Sequence, residues 1–483
     1  MGFIPEEQML KVLLGLNPWW GTGATPRELT KPVRRAAFHE ARRFLYHAPI
    51  RRAVVLSGAR RVGKTTIMYQ MIEDLLADGV PPKSILYVTF DHPLLKFFNI
   101  GQIVDSFRHN IAPQGENESY LLFDEIQYAS EWNNWLKVLY DHSPGVHIMA
   151  TGSASPILAA KSSESGVGRW TMVHVPTLSF YEYTQIAGVK GAHVPPAEFR
   201  LNDLWEVDAR SLAGLVRPLY GLEEHFHRYL LIGGFPELAL ADDTAIAQRI
   251  LREDVVDKVL KRDMTAVFGI RSVAELEKIF LYLCLHSGSI IAYDAIAKAI
   301  GISRPTVANF VELLRAANLI YVSNPFEVGG KKLLKSRPKI YLTDAALRNA
   351  VLMMGEDLLA DPDEMGMVVE TTVFKHLASY YSSLVPKIGY YRDSKSGKEL
   401  DIVVSLPSGR LLVEVKYRDT ARVNEHEAIV TLSNDEEATG SVVVTKRFDD
   451  YGVVRGVSRV PIIKIPAFAF LYLVGFAERW NAG

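Results

Sequence analysis

The sequence predicts an α/β protein: a parallel sheet wrapped by helices, then a helical segment, a winged helix, and a second α/β unit at the C-terminus. Three observations predict it. Short apolar runs, "AVVLS", "SILYVTFD", "SYLLFDEI" and "GVHIMATGS", alternate with helical patterns as far as Ser153, the pattern of buried parallel strands joined by crossover helices. The stretch "IAYDAIAKAIGISRPTVANFVELLRAANLIYVSNP" reads as two helices around a glycine stop, followed by a strand. Residues 397–417, "GKELDIVVSLPSGRLLVEVKY", alternate apolar and charged residues on either side of a turn and read as a hairpin.

At 483 residues the chain is too long for one core. The expected divisions are an N-terminal arm (1–50), a phosphate-binding core (51–178), a helical lid (179–268), a winged helix (269–350) and a C-terminal α/β domain (351–483). With a net charge of −1, any nucleic-acid contact must come from local patches. The single cysteine, Cys284, lies in the apolar segment "IFLYLCLH", which excludes a disulfide framework and a cysteine zinc site. The longest apolar run, "PAFAFLYLVGF", is too short to cross a bilayer, and the N-terminus lacks the pattern of a secretory signal. A cytoplasmic protein without a membrane partner is expected.

The arm carries "LNPWW" at residues 16–20 and a basic segment with Arg34, Arg35, Arg42 and Arg43. The aromatic pair is expected to pack the arm onto the core. Next, "GARRVGKT" matches the phosphate-binding pattern G-x-x-x-x-G-K-[ST] and stands between a strand and a helix, as that pattern requires. Gly58, Ala59, Arg60, Arg61, Val62, Gly63, Lys64, Thr65 and Thr66 form the expected nucleotide loop. Its backbone N–H groups and the helix N-terminus favour phosphate. Lys64 supplies a point charge for the β- and γ-phosphates of ATP, and Thr65 offers a hydroxyl to Mg²⁺. Asp124 and Glu125 end the next-but-one apolar strand; Asp124 suits the Mg²⁺ shell and Glu125 suits polarising the attacking water. "ATGS" then ends a further strand, which places Thr151 or Ser153 beside the γ-phosphate.

In the helix-turn-helix, a helix over Tyr293–Ile300 stops at Gly301 and Ser303 caps the next. Ser303, Arg304, Thr306 and Asn309 are offered to a DNA groove. The strands that follow flank "KKLLKSRPK", with five cations and no acid in nine residues: Lys331, Lys332, Lys335, Arg337 and Lys339. A basic wing suits the phosphate backbone. In the C-terminal hairpin, strand parity turns Glu399 and Asp401 to one side, and Glu414 and Lys416 likewise. Asp401 and Glu414 then make a hard oxygen site for Mg²⁺, with Lys416 beside the attacking water and Glu370 approaching from a helix.

The segments "NPWW", "LSGARRVGKTT", "LLFDEIQ", "GRWTMVHVPTLSFYEY" and, later, "GGFPE" resemble the AAA-type ATPase domain of a large family of prokaryotic predicted ATPases. The resemblance implies that Arg169 is an arginine finger reaching a neighbouring subunit's γ-phosphate, and hence a homo-oligomer. The order Glu370, Asp401, Glu414, Lys416 resembles the restriction-endonuclease-like PD-(D/E)xK superfamily, with Leu400 where a proline is usual. Together these imply an ATP-hydrolysing protein that binds DNA and cleaves or processes it with Mg²⁺. The alternatives are an ATP-dependent oligomeric switch, or a DNA-binding regulator whose nuclease-like domain is not catalytic.

Overall fold

A computed structural model describes residues 5–47, 50–113, 118–152, 168–190, 195–196, 198–266, 268–270, 272–326, 337–384, 386–393 and 395–481. The arm supplies helix α1 (Ala36–Arg42), and the nucleotide core supplies α2 (Lys64–Ala77), α3 (Ile100–Asn110) and α4 (Trp132–His142). Five strands, β1 (Ala53–Ser57), β2 (Ile85–Thr89), β3 (Ser119–Asp124), β4 (Val146–Gly152) and β5 (Trp170–His174), form a sheet of order β2-β3-β4-β1-β5. All pairs are parallel. Every residue of β1 is buried, as expected of a central strand covered on both faces.

The "LNPWW" segment closes the β2 edge of this sheet. Asn17 donates to the Tyr87 carbonyl at 2.9 Å and accepts from the Tyr87 N–H at 2.7 Å, so its amide stands in for a neighbouring strand. Both indole N–H groups donate to the Ile85 carbonyl, Trp19 at 3.2 Å and Trp20 at 2.7 Å.

A helical region follows, with α5 (Phe180–Ile186), α6 (Ala209–Val216), α7 (Glu223–Ile232) and α8 (Thr244–Leu251). Next come α9 (Val273–Leu285), α10 (Tyr293–Ile300) and α11 (Arg304–Ala316). Gly301 ends α10 at φ 79°, and the Ser303 hydroxyl accepts from the Thr306 N–H at 3.2 Å, capping α11.

The second sheet has eight strands in the order β12-β13-β11-β10-β9-β8-β6-β7. These are β6 (Ile320–Pro325), β7 (Lys339–Leu342), β8 (Lys387–Arg392), β9 (Glu399–Leu406), β10 (Gly409–Lys416), β11 (Ala438–Thr445), β12 (Gly452–Val454) and β13 (Ile462–Pro466). The wing strand β6 pairs in parallel with β8, at Asn324 with Gly389 and Pro325 with Tyr390. One sheet therefore runs from the helix-turn-helix into the C-terminal hairpin.

Helices α12 (Ala345–Leu352), α13 (Pro362–Tyr380) and α14 (Ala467–Asn481) complete the chain. The run "AFAFLYLVGFA" lies in α14, where its residues are buried on all sides, as a helix apolar all round must be. Among the described residues, no helix is long and apolar enough to cross a membrane. Lys375 of α13 ties the regions together: its ammonium donates to the Leu178 carbonyl at 2.7 Å, to the Tyr229 hydroxyl at 2.6 Å and to Asp344 at 3.2 Å.

Candidate functional site

The strand-loop-helix order puts the phosphate loop where β1 meets α2. Gly58 and Gly63 are required by geometry. A Cβ on Gly58 would lie 2.1 Å from the Val175 carbonyl oxygen, and Gly63 stands at φ 94°. The Lys64 ammonium is buried and donates to the Gly58 and Ala59 carbonyls at 2.9 and 2.8 Å. Burial pushes it below its ordinary pKa, against the pull of Glu125 and Asp124.

Asp124 is the hub of the site. Its Oδ2 accepts from the Thr65 and Tyr87 hydroxyls, both at 2.9 Å, and its Oδ1 accepts from the Thr151 hydroxyl. Thr65 and Asp124 thus present two hard oxygens side by side, a donor pair that fits Mg²⁺; a Mg²⁺ held there supplies charge neutralisation to the nucleotide's phosphates. Glu125 follows at φ 52°, its N–H donating to Thr151 Oγ1 at 3.0 Å and its carboxylate accepting from the Gln127 amide. Burial raises its carboxyl above the ordinary value, with the Lys64 ammonium pulling the other way. Of the two residues expected near the γ-phosphate, Thr151 is fully buried beneath Asp124 and Glu125, and Ser153 lies outside the described residues.

Arg60 and Arg61 keep their backbones in the loop while their side chains turn to the helical region. Arg60 grips Asp263 through Nε at 2.6 Å and Nη2 at 2.7 Å, and Tyr128 donates to the same carboxylate at 2.7 Å. Arg61 pairs with Glu237 of "GGFPE" and, at 2.6 Å, with Asp254. Arg169, expected to reach a neighbouring subunit, pairs with Asp141 of its own chain at 3.0 Å.

At the helix-turn-helix, Ser303, Arg304 and Asn309 are exposed and Thr306 is half-buried. Arg304 stands 3.6 Å from Asp294. In the wing, Lys331, Lys332 and Lys335 lie outside the described residues and Arg337 is exposed. Lys339 corrects the expectation that all five cations of the wing are offered to a phosphate backbone. It is buried, with its ammonium 2.7 Å from Glu399, 3.2 Å from Glu370 and 3.6 Å from Asp401.

Those carboxylates belong to the expected nuclease-like cluster. Tyr341 donates to Glu370 at 2.7 Å, and the Val415 N–H donates to Asp401 at 2.9 Å. Burial and the negative charge of Asp401 push Glu370 up to about 7, and the same two causes push Glu414 up to about 9. Lys416 is a second correction. Its ammonium is held by Glu427 and, at 2.7 Å, by the Arg422 carbonyl, so the ammonium standing between Glu370 and Asp401 comes from Lys339. Among the described residues, no three His, Cys, Asp or Glu side chains are grouped to hold a metal ion. The cluster as it stands does not fit Mg²⁺.

Sequence reading missed Tyr87, Asp263 and Glu427, none of which belongs to a local motif, and it placed Lys339 with the basic wing instead of the acid cluster. A cleft of about 900 Å³, lined by Arg228, Gln248, Arg252, Glu253, Met353 and Glu356, lies apart from both sites.

A phosphate loop between β1 and α2, opposite an acid pair at the end of β3 in a parallel sheet, defines a P-loop nucleotide hydrolase. Residues 50–184 match the family model for the AAA domain, and over that segment the chain is a AAA-type ATPase. Residues 223–358 and 365–466 match models for two domains of unknown function (DUF8612 and DUF4143). Uncharacterized proteins of Haemophilus influenzae (22% identical, 85% of this chain and 92% of that protein) and Methanocaldococcus jannaschii (26% identical, 77% and 76%) are similar along most of their length. An uncharacterized protein of Mycobacterium tuberculosis is 24% identical over 83% of this chain and 80% of its own. Among solved structures, the Aeropyrum pernix ORC1 protein in complex with DNA aligns over 70% of this chain and 96% of its own, at 12% identity and a TM-score of 0.30. CDC6P from Pyrobaculum aerophilum aligns over 77% and 97%, at 13% identity and a TM-score of 0.23. Scores that low carry no argument.

Proposed function

We propose that this chain hydrolyses ATP at the Lys64–Thr65–Asp124–Glu125 site and binds DNA through its helix-turn-helix and wing, with DNA processing at the C-terminal acid cluster. The observation that carries the first part is the convergence of Thr65, Tyr87 and Thr151 on Asp124, with Glu125 and Lys64 beside them. The DNA reading rests on exposed Ser303, Arg304, Asn309 and Arg337. Arg169 is the proposed finger in an assembled homo-oligomer, where it exchanges Asp141 for a neighbour's phosphate. The domain limits at residues 50, 178, 268 and 350 are part of the same proposal.

Cleavage is supported by the approach of Glu370, Asp401 and Glu414 from a helix and two antiparallel strands. It requires the Lys339 ammonium to leave the cluster. That same ammonium favours a second reading: a nucleotide-driven switch in which the acid cluster is a structural ion-pair network that cuts nothing.

The test is cleavage of labelled duplex, forked and single-stranded DNA with Mg²⁺ or Mn²⁺, with and without ATP, for wild type, Glu414→Ala and Lys64→Ala. Cutting lost in Glu414→Ala and altered in Lys64→Ala supports the ATP-coupled nuclease. ATP hydrolysis and DNA binding without cutting of any substrate establish the switch.

A further inference from the structure

Arg35 belongs to the basic segment of the arm, outside residues 50–184, yet its guanidinium is buried beneath the phosphate loop. Nη1 donates to the Val62 carbonyl at 2.7 Å and Nη2 to the Pro176 carbonyl at 2.9 Å. Nε and Nη2 together form a two-pronged pair with Glu182, at 3.1 and 2.8 Å. The neighbouring arginines do something else. Arg34 pairs with Glu73 and Asp74, and Arg42 with Asp74 and Asp78, on partly exposed acids of α2 and its C-terminal end.

The Val62 contact decides the role. Val62 and Gly63 share a peptide plane, and a trans peptide points its carbonyl and the following N–H in opposite directions. Fixing the Val62 carbonyl toward Arg35 therefore fixes the Gly63 N–H away from it, at the residue preceding the N-terminus of α2. Backbone N–H groups at that place are what a phosphate loop uses to bind its anion. A cation on the carbonyl also polarises the peptide and strengthens the N–H as a donor.

Glu182 makes the buried guanidinium tolerable, because an unpaired buried charge is strongly destabilising. Burial works against the Glu182 carboxylate, yet the Arg35 charge and hydrogen bonds, with N–H groups from Ser179 and Ala36, hold its pKa below the ordinary value. Around the pair lie Glu40, His174, Ser379 and Glu478, lining a cavity of about 20 Å³.

We infer that Arg35, held by Glu182, is a positioning residue of the nucleotide site, setting the Val62–Gly63 peptide and so the affinity for the nucleotide's phosphates. This rests on the reading of the loop as an ATP site. The experiment measures ATP and ADP binding and steady-state hydrolysis on the full chain, for wild type, Arg35→Met, Arg35→Lys, Glu182→Gln and Arg34→Ala. Arg35→Met is expected to raise Kd for both nucleotides by about tenfold or more, with KM following and kcat at saturation nearly unchanged. Arg35→Lys recovers part of the loss, because an ammonium reaches the Val62 carbonyl, and Arg34→Ala binds as wild type does. A folded Arg35→Met with Kd within about twofold of wild type overturns the inference. Should Arg35→Met not fold, Glu182→Gln decides on the same measurement, a Kd raised by about threefold or more supporting it and an unchanged Kd overturning it. A wild-type chain that binds no ATP overturns the ATP-site reading itself, whereas wild-type binding with unaffected variants overturns only the role of Arg35.

Discussion

The half-buried Glu478 shows how one residue stores pH dependence. Burial and the nearby Glu182 charge push it up to about 7, while the Ser379 hydroxyl, Arg35 and Lys375 act against the rise. A carboxyl raised on folding keeps its proton in the folded state over a range where the unfolded chain has lost it. Stability from this group therefore falls as pH rises from the ordinary carboxylate range through about 7, and is flat above. Glu478→Gln keeps the shape and removes the titration. It is expected to flatten the melting temperature between pH 5 and pH 8 and to raise it by a few degrees at the upper end. Melting curves at several pH values check this; a variant with the same slope as wild type rules it out. Residue type was legible in the chain at such positions, but burial was not. Glu478 sits in a sequence that reads as an ordinary helix end, and only packing between α5, α13 and α14 makes its proton costly to lose.

Elements carry the next set of consequences, and the edge of the nucleotide sheet is the clearest. Strand β2 has one strand neighbour, and the arm covers its free side with Asn17, Trp19 and Trp20. Asn17→Ala leaves the Tyr87 N–H and carbonyl without these partners, at a cost of about 1–3 kcal/mol. Denaturant unfolding should show that loss, with nucleotide affinity of the folded protein little changed; full stability would mean that water serves the edge equally well. The packing role of the aromatic pair was legible in "LNPWW". The role of Asn17 was not, because an amide that mimics a strand has no signature apart from the strand it meets. Strand β1 with its phosphate loop and strand β3 with its acid pair were legible, since each strand is contiguous in the chain with the residues that follow it. The wing was legible as two strands, but Lys339 was read with its basic neighbours. Strand parity and the β6–β8 pairing send its ammonium into the acid cluster instead.

For the whole molecule, assembly is the question that a single chain poses most sharply. Arg169 is held by Asp141 here, and the finger role needs it to reach another subunit. Specific ATPase activity should then rise with protein concentration, and Arg169→Ala should abolish that rise and lower turnover by about 10³-fold or more while ATP still binds. Activity strictly proportional to concentration, unaffected by Arg169→Ala, would leave Arg169 as a surface ion pair. At this scale Lys375 is also instructive. It joins a core carbonyl, a tyrosine of the helical region and Asp344 after the wing, at one buried point of α13. One helix thus touches the Leu178 carbonyl after the core and carries Glu370 into the acid cluster.

The sequence alone determined the class of the protein, because phosphate binding by a loop, an acid pair after a strand, and a helix-turn-helix are all encoded in residues adjacent along the chain. Local spacing fixes their chemistry before any packing occurs. Only the tertiary structure decided which charges meet. Arg35 lies under the phosphate loop, Asp263 on Arg60, Lys339 among Glu370, Glu399 and Asp401, and Lys416 on Glu427. Except for Lys416 and Glu427, eleven residues apart, these pairings join residues far apart in the chain, and a buried ion pair depends on burial and facing geometry that no local pattern records.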